Sequence, residues 1–278
     1  MSARMPNFLF IGPDRTGSTW LHQVLGQHPQ VFVPKLKDSY FFNRYHHLGL
    51  PWYAGLFRDA RPEHLAVGEV AHDYLYSDKA RTRIRQQLPQ VKLLITIRDP
   101  VDRAVSHWRF RRRSGATDLG FEDDLQSCPE ICEHGLYAKA LRNWMRDFPP
   151  EQIHFLSFEK LRSAPRRFCG DLATILQIDD ALFPKVLPPA VQRAKLPRSS
   201  RVIRVTRLIG DRLRDHGFAR TWGHMKSSAI AQKILFQSRN VPRPVTCPGA
   251  FERIFDEDRK QLEHMTGQSW SSLAGPGV

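Results

Sequence analysis

Long hydrophobic runs are missing from this sequence. No segment approaches the ~20 consecutive apolar residues of a membrane-spanning helix, and the apolar run that begins at Phe8 stops at Gly12, just before Asp14 and Arg15. The same run is too short for the hydrophobic part of a secretory leader. We therefore expect a soluble, cytoplasmic protein.

Cysteine is scarce as well, since the chain has only four. Cys128 and Cys132 are four residues apart, but no second ligand pair accompanies them, so the spacing is not that of a zinc site. Free thiols in a reducing compartment are the preferred interpretation, and a Cys128–Cys132 disulfide is the alternative. We expect no bound metal.

Acidic residues are few for the number of basic ones. The chain carries 28 Asp and Glu against 42 Lys and Arg, a formal net charge of +14. Such an excess implies an anionic partner, which could be nucleic acid, acidic lipid, a nucleotide or an acidic glycan. The length of 278 residues allows one large domain or two small ones.

A strand, a loop and a helix are predicted close to the N-terminus. Phe8–Ile11 has the length of a buried strand, residues 13–19 form a polar loop, and apolar residues over 20–25 recur at helical spacing. Ser18 or Thr19 is expected to cap the helix. Backbone N–H groups converge at such a helix N-terminus, where the dipole favours an anion, so the loop is a candidate cradle for phosphate or sulfate. Its side-chain donors are Arg15, Thr16, Ser18 and Thr19.

The loop departs from a nucleotide-triphosphatase loop at one position. Gly12 and Gly17 fit the G-x-x-x-x-G frame, but Ser18 follows where lysine is needed, and the basic residue is Arg15. This departure counts against a triphosphatase. An ordinary strand-to-helix turn remains the alternative interpretation.

A second strand–loop–helix unit follows later in the chain. Val91–Ile97 is a β-rich run typical of a central parallel strand, and it leads into Arg98, Asp99 and Pro100. Asp99 is expected to cap the next helix, which carries Ser106. An arginine at a strand end is usually a salt-bridge partner. Two such units with basic residues nevertheless suggest a ligand with two separated anionic groups.

Asp38 is a lone carboxylate beside an aromatic run, Tyr40 to Phe42. One interpretation is a surface loop with an aromatic anchor. The other is a functional carboxylate whose pKa is raised by desolvation against an apolar wall. Residues 193–220 are dense in arginine and form either a basic wall for an acidic ligand or a solvated helical face.

Taken together, these segments resemble the PAPS-dependent sulfotransferases, a family that includes bacterial carbohydrate and natural-product enzymes and the Golgi heparan sulfate enzymes. DRTGSTWL resembles the family's 5′-phosphosulfate loop, and ITIRDPVDRAVSHW resembles its 3′-phosphate segment. KDSYFFN resembles the K-E-x-x-F-F stretch, and GEVAHDYLYS resembles G-E-x-(S/T)-P-x-Y-L. The resemblance covers most of the chain and is weakest over 184–248.

The resemblance implies a single α/β, P-loop-like domain over 1–278, with a central parallel sheet flanked by helices and a helical C-terminal region. It leaves 184–248 as a less certain, mainly helical and basic insertion. It also implies the donor 3′-phosphoadenosine 5′-phosphosulfate, no metal, and an acceptor hydroxyl on a carbohydrate, glycosylated or natural-product substrate. The implied nucleotide-binding residues are Arg15, Thr16, Gly17, Ser18, Thr19, Trp20, Arg98 and Ser106.

Arg15 and Asp38 are the catalytic residues that the resemblance implies, and both depart from the family pattern. Arg15 stands where many members carry lysine, and Asp38 stands where the catalytic glutamate stands. Ala71 and His72 replace the usual Ser/Thr-Pro, so His72 is an alternative base. The alternative functions are a basic nucleic-acid or acidic-glycan binding protein without catalysis, and a P-loop kinase.

Overall fold

The computed structural model describes residues 4–189, 196–197, 236–237 and 249–275. Most of the arginine-rich segment 193–220, and most of 184–248, lies outside the described residues, so the sequence-based predictions for these segments stay predictions. Two short strands are described there. Leu196–Pro197 and Phe236–Gln237 pair with each other in antiparallel fashion.

Five parallel strands form the central sheet, in the order β2-β3-β1-β4-β5. Their bounds are β1 Phe8–Gly12, β2 Val31–Phe32, β3 Ala66–Val70, β4 Lys92–Ile97 and β5 Ile153–Ser157. The predicted α/β class with a parallel sheet is thereby confirmed. Crossovers carry helices to the sheet faces, as parallel pairing requires.

The helices cover both faces of the sheet. Their bounds are α1 Ser18–Leu25, α2 Gly49–Gly55, α3 Asp78–Gln87, α4 Pro100–Arg113, α5 Phe121–Ser127, α6 Glu130–Glu133, α7 Tyr137–Asp147, α8 Phe158–Ser163, α9 Pro165–Leu176, α10 Gly249–Thr266 and α11 Trp270–Ala274. Short helical turns lie at Phe41–Tyr45, His46–Leu48, Tyr74–Tyr76, Pro150–Gln152 and Asp180–Leu182. Within the described residues, no helix is long and apolar enough to cross a bilayer.

Successive side chains of β1 point to opposite faces of the sheet, and each face has its own hydrophobic core. Phe8 and Phe10 face one side and pack with α1 and α9, whereas Leu9 and Ile11 face the other and pack with α3 and α7. All four side chains are fully buried. A strand covered on both faces reads as a continuous apolar run, which is why its sequence showed no alternation of polar and apolar residues.

The C-terminal helix α10 docks on α7 through a carboxylate. Asp258 accepts hydrogen bonds from the backbone N–H groups of Ala138 (2.9 Å) and Lys139 (3.0 Å), in the first turn of α7. The sequence predicted a final helix over 251–265, and the structure adds the short α11 after it.

The order of the strands indicates where a ligand would bind, at the carboxyl ends of the central strands. The chain leaves β1 for the outer β2, returns through β3 to the side of β1, and then continues through β4 on the other side. In open α/β sheets, ligands bind outside the carboxyl ends of the strands where this order reverses. The segments that follow β1, β3 and β4 are therefore the place to look for the site.

Candidate active site

The loop after β1 presents unpaired backbone N–H groups. Gly17 has a left-handed conformation (φ 91°) and is the residue before α1. The first helical hydrogen bond runs from the N–H of Leu21 to the C=O of Gly17 (2.9 Å), so the N–H groups of Ser18, Thr19 and Trp20 have no partner inside the helix. The prediction that Ser18 or Thr19 caps α1 was wrong, because the helix begins at Ser18 and Gly17 offers no side chain. Free N–H groups at a helix N-terminus are suited to binding an anion.

Two of the predicted binding residues have side chains that are already engaged within the protein. The hydroxyl of Thr16 donates to the C=O of Pro13 (2.7 Å) and is buried. The indole N–H of Trp20 donates to the C=O of Pro188 (2.8 Å), and its ring lies in the core beside Phe168. Thr16 and Trp20 can therefore contribute to a ligand through their backbone N–H groups.

Asp14 ties the loop to later segments of the chain through ion pairs. It is buried and pairs with Arg103 (Oδ1 to Nη1, 3.1 Å), with His134 Nδ1 (3.0 Å) and with His107 Nδ1 (3.3 Å). Burial raises the pKa of Asp14, but Arg103 and the two histidines outweigh this and lower it. The sequence analysis missed this anchor, because its partners lie on α4 and near α6, far along the chain.

The same cluster has the composition of a metal site. The ligand atoms of Asp14, His107 and His134 lie within 4.8 Å of one another. However, Nη1 of Arg103 is 3.1 Å from Asp14 Oδ1 and 3.3 Å from His107 Nδ1, so a guanidinium already stands beside the ligand atoms. Burial lowers the pKa of His107 to about 4, and Arg103 adds to this against the opposing charge of Asp14. We interpret the cluster as an ion-pair network that holds the loop.

Arg15 lies at the centre of a group of cations. Its Nε donates to Ser106 Oγ (3.4 Å), and its guanidinium stacks on Phe110 (4.7 Å to the ring centroid). Burial, together with the neighbouring charges of Arg113 and Arg98, lowers the pKa of Arg15 to about 10. The charged form of Arg15 is thus destabilised here, and a bound anion would relieve this.

Arg98 is positioned by the end of β4, as the sequence predicted. Its Nη1 donates to the C=O of Arg15 (2.9 Å), and its guanidinium stacks on Phe158 (4.3 Å). Its own C=O accepts a hydrogen bond from the hydroxyl of Tyr137 (2.9 Å). The predicted cap is also present, since Asp99 Oδ1 accepts from the N–H of Asp102 (2.8 Å) and Pro100 opens α4. The structure therefore brings Arg15, Arg98 and Ser106 together.

Asp38 lies between two cationic or potentially cationic groups. Lys37 Nζ is 2.6 Å from its Oδ2, and His72 Nδ1 is 2.8 Å from its Oδ1. Burial raises the pKa of Asp38, but His72 and Lys37 outweigh this and lower it. The expectation that desolvation beside an apolar wall raises this pKa was therefore wrong, because Lys37 and His72 contact the carboxylate and favour its charged form.

The pair of Asp38 and His72 lies directly against the end of β1. The N–H of Asp38 donates to the C=O of Val70 (3.2 Å), at the end of β3. Gly12 has φ 132°, and a Cβ built on it would come within 2.7 Å of the C=O of His72. The cradle and the pair thus meet with no side chain between their backbones.

A buried carboxyl group supports this part of the site. Glu69 accepts hydrogen bonds from the N–H of Ser39 (2.9 Å) and the hydroxyl of Tyr53 (2.9 Å), and Tyr74 lies 3.3 Å away. Burial raises the pKa of Glu69 to about 7, despite these hydrogen bonds. Glu69 therefore fixes the segment that follows Asp38 from inside the core.

A five-stranded parallel sheet flanked by helices, whose central strand β1 leads through a loop with free backbone N–H groups into α1, defines a P-loop-like α/β fold. The chain belongs to the sulfotransferase family, since the model described as "Sulfotransferase domain" matches residues 5–192. The resemblance found in the sequence is confirmed.

Individual relatives show the same likeness. The chain is 33% identical over 183 residues to the mouse (Mus musculus) heparan sulfate glucosamine 3-O-sulfotransferase 3B1, covering 59% of this chain and 44% of the relative. It is 28% identical over 198 residues to the human (Homo sapiens) bifunctional heparan sulfate N-deacetylase/N-sulfotransferase 3, covering 63% and 22%. The chain thus spans less than half of the length of these two relatives.

A solved structure shares the fold over almost the whole chain. It is a sulfotransferase from Alicyclobacillus acidocaldarius, with a TM-score of 0.66, 21% identity, and coverage of 97% of this chain and 99% of that one. At this identity the likeness concerns the fold.

Proposed function

We propose that this protein transfers the sulfuryl group of 3′-phosphoadenosine 5′-phosphosulfate to a hydroxyl group of a carbohydrate. The observation that carries the proposal is the convergence of Arg15, Arg98 and Ser106 on the N–H-lined loop after β1. Membership of the sulfotransferase family supports the type of reaction. The relatives named for heparan sulfate support a carbohydrate acceptor.

The residues present fit a nucleotide with two phosphate groups. Nε of Arg98 is buried and has no hydrogen-bond partner within the described residues, and a phosphate oxygen would satisfy it. The N–H groups of residues 16–19 would hold the 5′-phosphate, and Arg98 with Ser106 would hold the 3′-phosphate. Arginine suits this task because its planar fork matches phosphate geometry.

When bound, the donor supplies an electrophilic sulfuryl group on a phosphate leaving group. Arg15 then stabilises negative charge that develops at the leaving phosphate, as fixed cations do in phosphoryl transfer. The long contact between Arg15 and Ser106 (3.4 Å) is weak enough to be exchanged for phosphate oxygens. On the acceptor side, the pair of Asp38 and His72 removes the proton of the attacking hydroxyl.

Calorimetry with three nucleotides tests the donor site. We expect 3′-phosphoadenosine 5′-phosphate to bind more tightly than 5′-AMP and ATP, because only it carries the 3′-phosphate. Arg98→Ala should weaken this binding by about 100-fold, since it removes a charge-assisted phosphate contact from a partly buried site. Arg112→Ala is the matched control, because Arg112 is exposed and stacks on Trp108.

Transfer itself is tested with the sulfated donor and de-O-sulfated heparan sulfate as acceptor. Incorporation of sulfate into the polysaccharide supports the proposal. Equal or absent binding of all three nucleotides would contradict it. In that event, a basic binding protein without catalysis would be the better description.

A further inference from the structure

Asp38 has little capacity to take up a proton. Its Oδ2 accepts from Lys37 (2.6 Å), and its Oδ1 lies 3.2 Å from the N–H and 2.8 Å from the ring Nδ1 of His72. Its side chain is only 13% exposed. Protonation of this carboxylate would give up its pairing with Lys37 and His72, so another group is better suited to accept the proton of the acceptor hydroxyl.

The ring of His72 is oriented so that one nitrogen is available. An ionised carboxylate can only accept hydrogen bonds, so Nδ1 carries the proton and donates it to Asp38. The lone pair of the neutral ring then lies on Nε2. Within the described residues, Nε2 makes no hydrogen bond, and the side chain is 30% exposed.

The position of His72 also suits a role in transfer. Its C=O abuts Gly12, where the anion-binding loop begins. The ring packs edge-to-face with Tyr40, with 6.1 Å between centroids, and this contact helps to fix its plane. The imidazole is therefore held at the boundary between the donor loop and the acceptor side.

We propose that His72 is the catalytic proton acceptor of the transfer, and that Asp38 is a positioning residue that holds the required tautomer. This inference rests on the proposed function. The O–H bond of the acceptor breaks and its proton goes to Nε2 of His72, while the oxygen lone pair forms the new bond to sulfur. The bond between sulfur and the leaving phosphate oxygen breaks, and that oxygen keeps the electron pair. The imidazolium, paired with Asp38, later returns the proton to water at its exposed edge.

The charges around His72 predict the pH dependence. Burial lowers the pKa of His72, but the contact with Asp38 outweighs this and raises it, with Lys37 opposing and Asp73 adding to the increase. Tyr40 faces the ring as well. Neutral imidazole, the form that accepts a proton, is thus populated as the pH rises above the ordinary value of about 6.5. If Asp38 itself were the base, the rate would be flat in this range, because the pKa of Asp38 is lowered.

The test is the pH profile of kcat/KM between about pH 5.5 and about pH 8.5, with the sulfated donor and de-O-sulfated heparan sulfate. We expect a rise through a single pKa above 6.5 in the parent enzyme. His72→Ala should lower kcat/KM by about 100-fold or more, as loss of a general base does. It should also abolish the rise, and added imidazole should restore part of the rate. Asp38→Asn should shift the midpoint of the residual rate to lower pH.

Two controls separate chemistry from structure. His72→Ala should bind 3′-phosphoadenosine 5′-phosphate like the parent, which shows that the donor site is intact. His47→Ala, at an exposed histidine in the segment after Asp38, should keep the parent rate and gain nothing from imidazole. A flat profile in the parent, an unchanged rise in His72→Ala, or no rescue of a variant that binds nucleotide normally would overturn the role of His72. Failure of the parent to bind the nucleotide or to transfer sulfate would instead overturn the proposed function.

Discussion

After the ends of β1 and β4 lie the cations Arg15 and Arg98, with Arg113 of α4 close to Arg15, whereas after β2 and β3 lie carboxylates that already have partners. On the first side, burial and mutual repulsion lower the pKa of Arg15, and Nε of Arg98 has no partner within the described residues. On the second side, Asp38 is paired with Lys37 and His72. The difference matches the two tasks of the proposed function: cations without a carboxylate partner among the described residues suit the binding of an anionic ligand, while the paired carboxylates hold their geometry without one.

The largest effect is expected from removal of Arg15, the cation at the centre of this group. Arg15→Ala should lower the rate of transfer by about 1,000-fold, because a fixed charge at the leaving phosphate contributes mainly in the transition state. Arg15→Lys keeps the charge, and we expect it to lie within about tenfold of the parent. Single-turnover kinetics with the sulfated donor measures both variants. A loss of less than tenfold in Arg15→Ala would contradict the role of this side chain.

A smaller effect is expected from a side chain added at Gly17, in the loop that carries Arg15. A Cβ on Gly17 would lie 2.5 Å from Leu161 Cδ2, and its φ of 91° strains any other residue. Gly17→Ala should therefore lower the free energy of unfolding by about 1–3 kcal/mol and weaken nucleotide binding. The control is Gly55→Ala, because nothing lies within 4 Å of a Cβ there. Urea unfolding measures the free energy of unfolding of both variants. Equal values for the two variants would show that the loop tolerates a side chain at residue 17.

The smallest effect concerns the carboxylate side and depends on pH. Glu69 has a folded-state pKa raised from 4.5 to about 7, so the folded protein binds more protons than the unfolded chain between these values. Its contribution to stability is complete below 4.5 and is lost as the pH rises through about 7. Between about pH 5 and about pH 8, the parent should lose roughly 1–3 kcal/mol of stability relative to Glu69→Gln. The measurement is the free energy of unfolding as a function of pH. If it changes with pH by the same amount in both proteins, Glu69 does not titrate in this range.

Much of the cation side could be predicted from the sequence because its signals are local. The strand, loop and helix around Arg15 fall within residues 8–25, and Arg98 follows its strand directly. Asp99 and Pro100 mark the start of α4 by the ordinary rules for helix N-termini. The helix cap of α1 was mispredicted for a local reason too, because Gly17, which has no side chain, occupies the cap position.

The carboxylate side was harder to predict because its chemistry depends on contacts between distant segments. Asp38 and His72 are 34 residues apart and meet only when β2 and β3 pair. The direction of the pKa shift of Asp38 follows from this meeting, so an aromatic run beside it in the sequence was a poor guide. The anchor of Asp14 on Arg103 spans 89 residues and gave no signal in the sequence.

The backbones of Gly12 and His72 approach each other so closely that no side chain separates the two segments. Because backbone meets backbone there, the separation between the loop after β1 and the segment of His72 follows from the pairing of β1 with β3. A change of side chain on either segment, as lysine for arginine or glutamate for aspartate, leaves this backbone separation unaltered. For the proposed transfer, the pairing of β1 with β3 thus fixes how far the donor loop lies from the backbone that carries the proton acceptor.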